Sequence, residues 1–459
     1  MREGDTIAAI ATPWGEGGIA IVRLSGPQAI EIADKVFKGK RKSLKNMPTY
    51  TMAYGHIVNP STGEEIDEVI VSLMRAPYSY TREDVVEINC HGGTLVASRV
   101  LELVLAAGAR LAEPGEFTRR AFLNGRIDLI QAEAVLEIVR AKSEEAIKIA
   151  SRKLKGEFGK RLSSLRNKLL NLASWVEASL DFPEEDIPLI SPEDVEERLK
   201  EILIDLNKII ASTKAGSIYR EGVRVVICGK PNVGKSSLLN ALLQEARAIV
   251  TSIPGTTRDL IEEVLNIKGV PIRLVDTAGI RRAKDEIERE GISRSLSQIE
   301  NADIVLLVLD SSVILEEEDI SIIEKLNGKR VIVVYNKKDL PKKIDPAEVR
   351  ALLPSSKEVW ISALYEEGID QLKEIILMEI QEGMDLSGEV WMTSMRNMEY
   401  LERVSSSLKD SIESLRKGLP YDVVSVGIQE ALRSIGAITG EEWTEEMLDI
   451  IFSQFCIGK

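Results

Sequence analysis

Cysteine and histidine are scarce in this 459-residue chain, and the scarcity narrows the chemistry open to it. Cys90, Cys228 and Cys456 are odd in number and far apart, so no disulfide framework is implied and a reducing compartment fits. His56 and His91 are the only histidines, which argues against a zinc site. No stretch approaches the ~18 uncharged apolar residues of a membrane span. The opening Met1-Arg-Glu-Gly-Asp-Thr6 lacks the apolar core of a signal peptide. A cytoplasmic protein without membrane association is expected. Positive charge is also in deficit: the net charge of −14 disfavours nucleic-acid binding by bulk electrostatics but leaves room for a local basic patch. What is present is ordinary for a globular protein, 44% hydrophobic and 29% charged, and the length suits about two to four domains. There are no internal repeats and no low-complexity segments.

The pattern changes character along the chain. Residues 1–118 read as an α+β module, with β-rich runs at 5–11, 18–24, 69–74 and 84–90 and helical periodicity after Pro27 and Gly93. From about 120 to 215 the periodicity is helical. Phe158, Leu162, Leu165, Leu169, Leu172 and Val176 fall at steps of four and three and form one apolar stripe. Ser191-Pro192 signals a helix start, followed by a stripe of Val195, Leu199, Ile202, Leu206 and Ile209. Residues 222 to about 380 alternate short apolar strands with helices, the pattern of a parallel sheet. A helical stripe then returns at Leu401, Val404, Leu408, Ile412 and Leu415, stopped by Gly418-Leu419-Pro420. The simplest arrangement is α/β plus α: an N-terminal α+β domain (1–118), a helical bundle (119–215 with 385–459) and an α/β domain inserted in it (216–384).

The inserted region carries a nucleotide signature. A strand feeds Gly229-Lys-Pro-Asn-Val-Gly234-Lys235-Ser236, which opens a helix; that context makes it a phosphate-binding loop. Backbone N–H groups of Asn232, Val233, Gly234 and their neighbours, with Ser237, would surround the phosphates at the helix N-terminus. Lys235 would contact the β and γ phosphates and the Ser236 hydroxyl would ligate Mg²⁺. Downstream follow Asp276-Thr277-Ala278-Gly279, then Asn336-Lys337-Lys338-Asp339, then Ser362-Ala363-Leu364. The carboxylate of Asp339 accepts both the ring N–H and the exocyclic amine of guanine, which adenine cannot offer, so GTP is expected. The effector loop is Thr251, Ser252, Ile253, Pro254, Gly255, Thr256, Thr257, Arg258 and Asp259, with Thr257 the second Mg²⁺ ligand. Ile280 stands where Ras-like proteins carry a water-orienting Gln, so another group must orient the water.

From Asp5-Thr-Ile-Ala-Ala to Cys456-Ile-Gly-Lys459 the chain resembles the MnmE (TrmE) family of bacterial tRNA-modification GTPases. The resemblance implies a homodimeric P-loop GTPase whose hydrolysis is activated by potassium-dependent pairing of G domains. The K⁺ ligands would be Asn232, Thr256 and the backbones of Thr251 and Ile253, and the water-orienting acid would be Glu288. It further implies a folate-binding-like N-terminal domain, taking 5-formyl- or 5,10-methylene-tetrahydrofolate through Arg23, Glu87, Arg126 and Lys459. Arg126 stands where the family commonly has Lys, and Pro13-Trp14-Gly15-Glu16 departs from its Pro-Pro-Gly turn followed by a basic residue. An FAD-dependent partner of the MnmG/GidA type and tRNA complete the implied set. The product would be an aminomethyl or carboxymethylaminomethyl group on carbon 5 of the wobble uridine.

The last four residues, Cys456-Ile457-Gly458-Lys459, place a thiol near a cation, a combination that favours thiolate chemistry. By the resemblance, Cys456 and Lys459 fold back towards the folate pocket, Cys456 as nucleophile or as acid–base group. Taken alone, the tetrapeptide reads more readily as a small buried hydrophobe near a frayed end. A prenylation box does not fit, because Gly is not aliphatic, Lys is not a usual last residue and no polybasic run precedes it. Two other functions share many of these residues: a regulatory potassium-dependent G protein of the ribosome-assembly type, and a GTP-regulated folate-dependent transferase acting on another substrate.

Overall fold

A computed structural model describes residues 4–39, 43–181, 190–244, 263–276, 298–382 and 390–459. The chain divides into two units, each discontinuous in sequence. The first comprises Met1–Leu136, Arg152–Leu199 and Arg403–Lys459; the second comprises Glu137–Ser151 and Lys200–Glu402.

The first unit begins with strands β1 (Ile7–Ile10) and β2 (Ile19–Ser25), helix α1 (Ala29–Val36), and strands β3 (Phe37–Gly39), β4 (Thr51–Val58), β5 (Glu65–Met74) and β6 (Val85–His91). Helix α2 (Thr94–Ala106) and the short β7 (Arg110–Leu111) follow. The seven strands form one sheet in the order β3-β4-β5-β6-β2-β1-β7, antiparallel throughout except for the β1–β7 pair. Alternation decides what each face carries. Ala20, Val22 and Leu24 of β2 point into a core shared with Ile30, Ala33 and Val36 of α1 and Val100 and Val104 of α2. The residues between them, Arg23 among them, face the other way. Strand β5 starts at Glu65, earlier than the expected 69, and β4 was not expected at all.

Helix α3 (Glu116–Leu123) packs Phe117 with Ile7 and Ala9 of β1 and is held by paired charges. The Arg110 guanidinium bonds Glu116 at 2.6 Å and Asp5 at 2.7 Å, and Arg120 reaches Asp5 at 2.5 Å and Glu83 at 3.2 Å. Burial alone would raise the Glu116 carboxyl, yet the hydrogen bonds from Arg110, the Glu113 backbone and Arg120 outweigh it and hold the group below its usual range.

Helices α4 (Leu129–Arg140), α5 (Glu144–Leu154), α6 (Glu157–Asp181) and α7 (Pro192–Glu221) follow along the chain. In the first unit, Phe158, Leu162, Leu165, Leu169, Leu172 and Val176 of α6 are all buried, so the stripe read from spacing is the packed face. At the start of α7 the Ser191 Oγ accepts the Asp194 N–H at 3.1 Å, closing an N-cap ahead of Pro192.

The second unit is built on a six-stranded sheet. Its elements are β8 (Val223–Cys228), α8 (Lys235–Gln244), β9 (Glu263–Ile267), β10 (Val270–Asp276), β11 (Ile304–Asp310) and α9 (Glu317–Glu324). They continue with β12 (Val331–Asn336), α10 (Pro346–Leu352), β13 (Lys357–Trp360) and α11 (Ile369–Glu382). The order β13-β12-β11-β8-β10-β9 is parallel except for β9. Val225 and Ile227 of β8 enter one apolar cluster and Val226 and Cys228 another, so the sheet is covered on both faces and its strands read as unbroken apolar runs. This is an α/β nucleotide-binding fold.

Helices α12 (Met395–Arg416), α13 (Tyr421–Thr439) and α14 (Glu445–Phe452) close the chain. Helix α13 packs along α6, with Gln429 donating to Glu177 at 2.8 Å. Among the described residues no helix is long and apolar enough to cross a membrane.

Because Leu169 is fully buried on α6, Leu169→Ala should cost about 2–5 kcal/mol of stability. Ser163→Ala on the exposed face should stay within about 0.5 kcal/mol. Denaturant unfolding followed by circular dichroism checks both.

Candidate functional site

At the C-terminal end of β8 the chain turns through Gly229–Gly234 into α8. Asn232 and Gly234 both take positive φ, 64° and 98°, which curls the backbone into a loop. At Gly234 a Cβ would meet the Asn336 Nδ2 at 2.2 Å, so only glycine fits. That amide donates to the Val233 carbonyl at 2.8 Å, while its Oδ1 accepts the Ala363 N–H at 3.0 Å. A buried Asn336 therefore ties the phosphate loop to the Ser362–Ala363 loop. Ser362 Oγ in turn donates to Asp339 Oδ1 at 2.5 Å, orienting the carboxylate expected to read guanine. Lys337 pairs with Asp310 at 2.5 Å and Lys338 donates its N–H to Ile361 O at 3.0 Å, which fixes the Asn336–Asp339 segment.

Lys235 is nearly buried, its ammonium donating to the carbonyls of Gly229 at 2.7 Å and Lys230 at 2.5 Å. An anionic phosphate set in the same loop would be a better acceptor than either neutral carbonyl. The hydroxyls of Ser236 and Ser237 lie on exposed residues in the first turn of α8, where hard oxygen donors suit Mg²⁺. Asp276 ends β10 in register with Ile227 of β8. The expected ligands Thr251, Ser252, Ile253, Pro254, Gly255, Thr256, Thr257, Thr277, Ala278 and Gly279, and the acid Glu288, lie outside the described residues.

Sequence reading missed what anchors this loop. Lys230 is almost buried and bonds Glu316 at 2.6 Å and Asp319 at 2.7 Å, joining the loop to the N-terminus of α9. Those acids lie far along the chain, and no local pattern marks the pairing. Asp310 was likewise unmarked. Burial would raise its carboxyl, but the Lys337 bond and charge, with two bonds from Ser312, hold it low.

The second cluster lies on the N-terminal sheet. Arg23 and Glu87 are direct cross-strand partners of β2 and β6, and their side chains meet at 2.8 Å, both half-buried. Arg23 Nη1 also donates to the carbonyl of Gly458 at 3.0 Å, and the guanidinium stands 5.7 Å from the Phe117 ring centroid. The chain's last residues are strapped alongside. The Gly115 N–H donates to Cys456 O at 3.4 Å and Phe117 N–H to Lys459 O at 3.1 Å. Gly458 is at φ 93°, with Ile10 O only 2.4 Å from where a Cβ would sit. Cys456 itself is exposed. The structure thus brings Arg23, Glu87, Cys456 and Lys459 into one neighbourhood. Arg126 stands apart from that pair, its guanidinium 4.9 Å from the Tyr80 ring, and the Tyr80 hydroxyl pairs with Thr118 at 3.1 Å. Burial raises the Tyr80 pKa, against the opposing Thr118 hydrogen bond and the charges of Arg126 and Arg23, so one partly buried ring senses both cations. Donors and acceptors on a half-buried sheet face beside aromatic rings fit a flat heterocycle with an anionic tail. Phe117 and Tyr80 were not anticipated from the sequence.

Cys90 and Cys228 are buried, whereas Cys456 is exposed. Burial pushes Cys228 up to about 12 and Cys90 up to about 11, so both stay protonated at pH 8 and only become thiolate near those values. Iodoacetamide at pH 8 should therefore add one label per folded chain, at Cys456, and three after denaturation, read by intact mass.

A family model described as "MnmE helical domain" matches residues 129–456, and one described as "GTP-binding protein TrmE N-terminus" matches residues 6–126. The tRNA modification GTPase MnmE of Geobacillus kaustophilus is 47% identical over 462 residues, covering 100% of both chains. Its counterpart in Carboxydothermus hydrogenoformans is 49% identical, covering 99% of each. Among solved structures, the G domain of the T. maritima FeoB iron transporter is 33% identical over 35% of this chain and 99% of that one. Its TM-score of 0.27 is too low to bear on the fold.

Proposed function

This chain belongs to the MnmE (TrmE) family of tRNA modification GTPases, and on that premise we propose that it installs an aminomethyl or carboxymethylaminomethyl group on carbon 5 of the wobble uridine. It is a GTPase, and GTP with Mg²⁺ belongs in the loop built by Asn232–Ser237, Asn336–Asp339 and Ser362–Ala363. A tetrahydrofolate bound at Arg23 and Glu87, with Arg126 for its anionic tail, supplies the one-carbon unit. The observation that carries this reading is the Arg23 guanidinium, which bonds Glu87 with one nitrogen and the carbonyl of Gly458 with another. That geometry supports an exposed thiol, Cys456, working beside the one-carbon site.

In this reading Ser236 and Thr257 ligate Mg²⁺, and Asn232, Thr256 and the Thr251 and Ile253 backbones ligate K⁺ between paired G domains. Glu288 orients the attacking water in place of the glutamine absent at Ile280. The domains are 1–118, 119–215 with 385–459, and 216–384. The working form is a cytoplasmic homodimer joined by an FAD-dependent MnmG-type partner, with GTP hydrolysis coupled to the modification through conformational change.

Glu288→Ala should slow single-turnover hydrolysis at least ~tenfold while GTP affinity holds; unchanged turnover would remove Glu288 from this role. The direct test is mass spectrometry of nucleosides from unmodified tRNA after incubation with the chain, its FAD partner, GTP, K⁺, the folate and ammonium or glycine. A C5-aminomethylated wobble uridine that disappears with Cys456→Ser is the expected result. Brisk K⁺-stimulated hydrolysis with no modified base would favour a regulatory G protein instead.

A further inference from the structure

Charge is not spread evenly over this acidic chain. Residues 158–176, the middle of α6 between Glu157 and Glu177, hold four basic side chains and no Asp or Glu, against a net charge of −14 overall. Opposite the buried stripe, Lys160, Ser163, Ser164, Asn167, Lys168 and Asn171 recur at steps of three, one, three, one and three, which puts them on one exposed helix face. With Lys155 and the side-chain-free Gly156 and Gly159 they line an open groove of about 690 Å³ in the first unit. Asp128 is the acid in its wall, with Oδ1 taken by the Gln131 N–H at 2.7 Å.

The groove shares Asp128 and Gln131 with a cavity of about 440 Å³, which Phe122 and Trp443 line together with Arg126. The two rings meet edge to face with centroids 6.3 Å apart, and Trp443 is 41% exposed. Glu441 at that end is paired with Arg166 at 2.6 Å, so its charge is compensated.

Lysines among serine hydroxyls and asparagine amides are the side chains that contact phosphate oxygens, and an exposed indole is a stacking platform for an unpaired base. Protein-docking surfaces are instead enriched in aromatic, Met and Arg anchors and depleted in Lys and Ser, the opposite of this face. We propose that the α6 groove is the phosphate-backbone track for the RNA substrate, with Lys155, Lys160 and Lys168 contacting phosphates along it and Trp443 stacking an unpaired base at its end. The proposal rests on the tRNA reading above.

The test is fluorescence anisotropy of labelled, unmodified tRNA with the full chain across a salt series. The double variant Lys155→Glu/Lys160→Glu should weaken binding at least ~tenfold and lower the slope of log K against log salt by about 1.4–1.8, since each lost phosphate contact is worth about 0.7–0.9. Trp443→Ala should weaken binding with no change in slope. Lys409→Glu/Lys417→Glu, the same charge change at exposed Lys409 of α12 and exposed Lys417 just past its end, should leave both quantities alone. Thermal midpoints of all variants report folding independently. Affinity within twofold and an unchanged slope in the Lys155/Lys160 variant would overturn the proposal. So would a variant that keeps tRNA but loses its protein partner in pull-down, which would make the groove a protein-docking face. If the wild-type chain modifies tRNA and the variant gives either result, the groove alone is refuted. A wild-type chain that modifies no tRNA refutes the reading beneath it.

Discussion

Arg23 is the residue on which the N-terminal site depends. A single half-buried guanidinium bonds Glu87 across the strand pair, takes the carbonyl of Gly458 and rests near the Phe117 ring. Each bond draws on a different level of the fold: sheet register, chain return and helix packing. A lysine would have one compact ammonium to offer these partners, not a planar fork with donors in two directions. The charge network of Asp5, Arg110, Glu116 and Arg120 makes this arrangement possible by holding α3 against the sheet edge, so that the N–H groups of Gly115 and Phe117 are in place to receive the last residues.

The nucleotide loop follows the same logic in different material. Here a neutral amide, Asn336, rather than a cation, bonds the phosphate loop on one side and the Ser362–Ala363 backbone on the other. Lys230 anchors the same loop to α9 through two carboxylates. The segment expected to read the base and the loop expected to hold the phosphates are thereby joined by one chain of hydrogen bonds, from Asp339 to Ser362 and from Ala363 through Asn336 to Val233. Each site is pre-organised by interactions that reach well beyond its own motif.

Much of this was legible in the sequence wherever the determining physics is short-range. The apolar stripes on α6, α7 and α12 follow from 3.6-residue periodicity, and the parallel sheet shows as unbroken apolar strands because both of its faces are covered. The order of the GTP motifs was readable because glycine, lysine and serine must stand at fixed steps. Strand β4 was not readable: Thr51–Val58 alternates weakly and is interrupted by Gly55, so its pairing with β5 sets its state more than its own residues do. Nor were the partners of Lys230, Lys337 or Arg23, since bonds between distant residues leave no local mark. The approach of Cys456 to Arg23 came from family resemblance, and the role of Phe117 beneath it only from the fold.

The measurement closest to the centre of this picture is hydrogen exchange at the Gly115 and Phe117 amides in the intact chain and in Arg23→Ala. Both amides donate to the last residues, to Cys456 O and Lys459 O. Pinning by Arg23 requires slow exchange at both in the intact chain and markedly faster exchange in the variant, with β5 and β6 amides unchanged. Equal exchange in the two proteins would mean that Arg23 does not hold the tail beside the site, and that the placement of Cys456 has another cause.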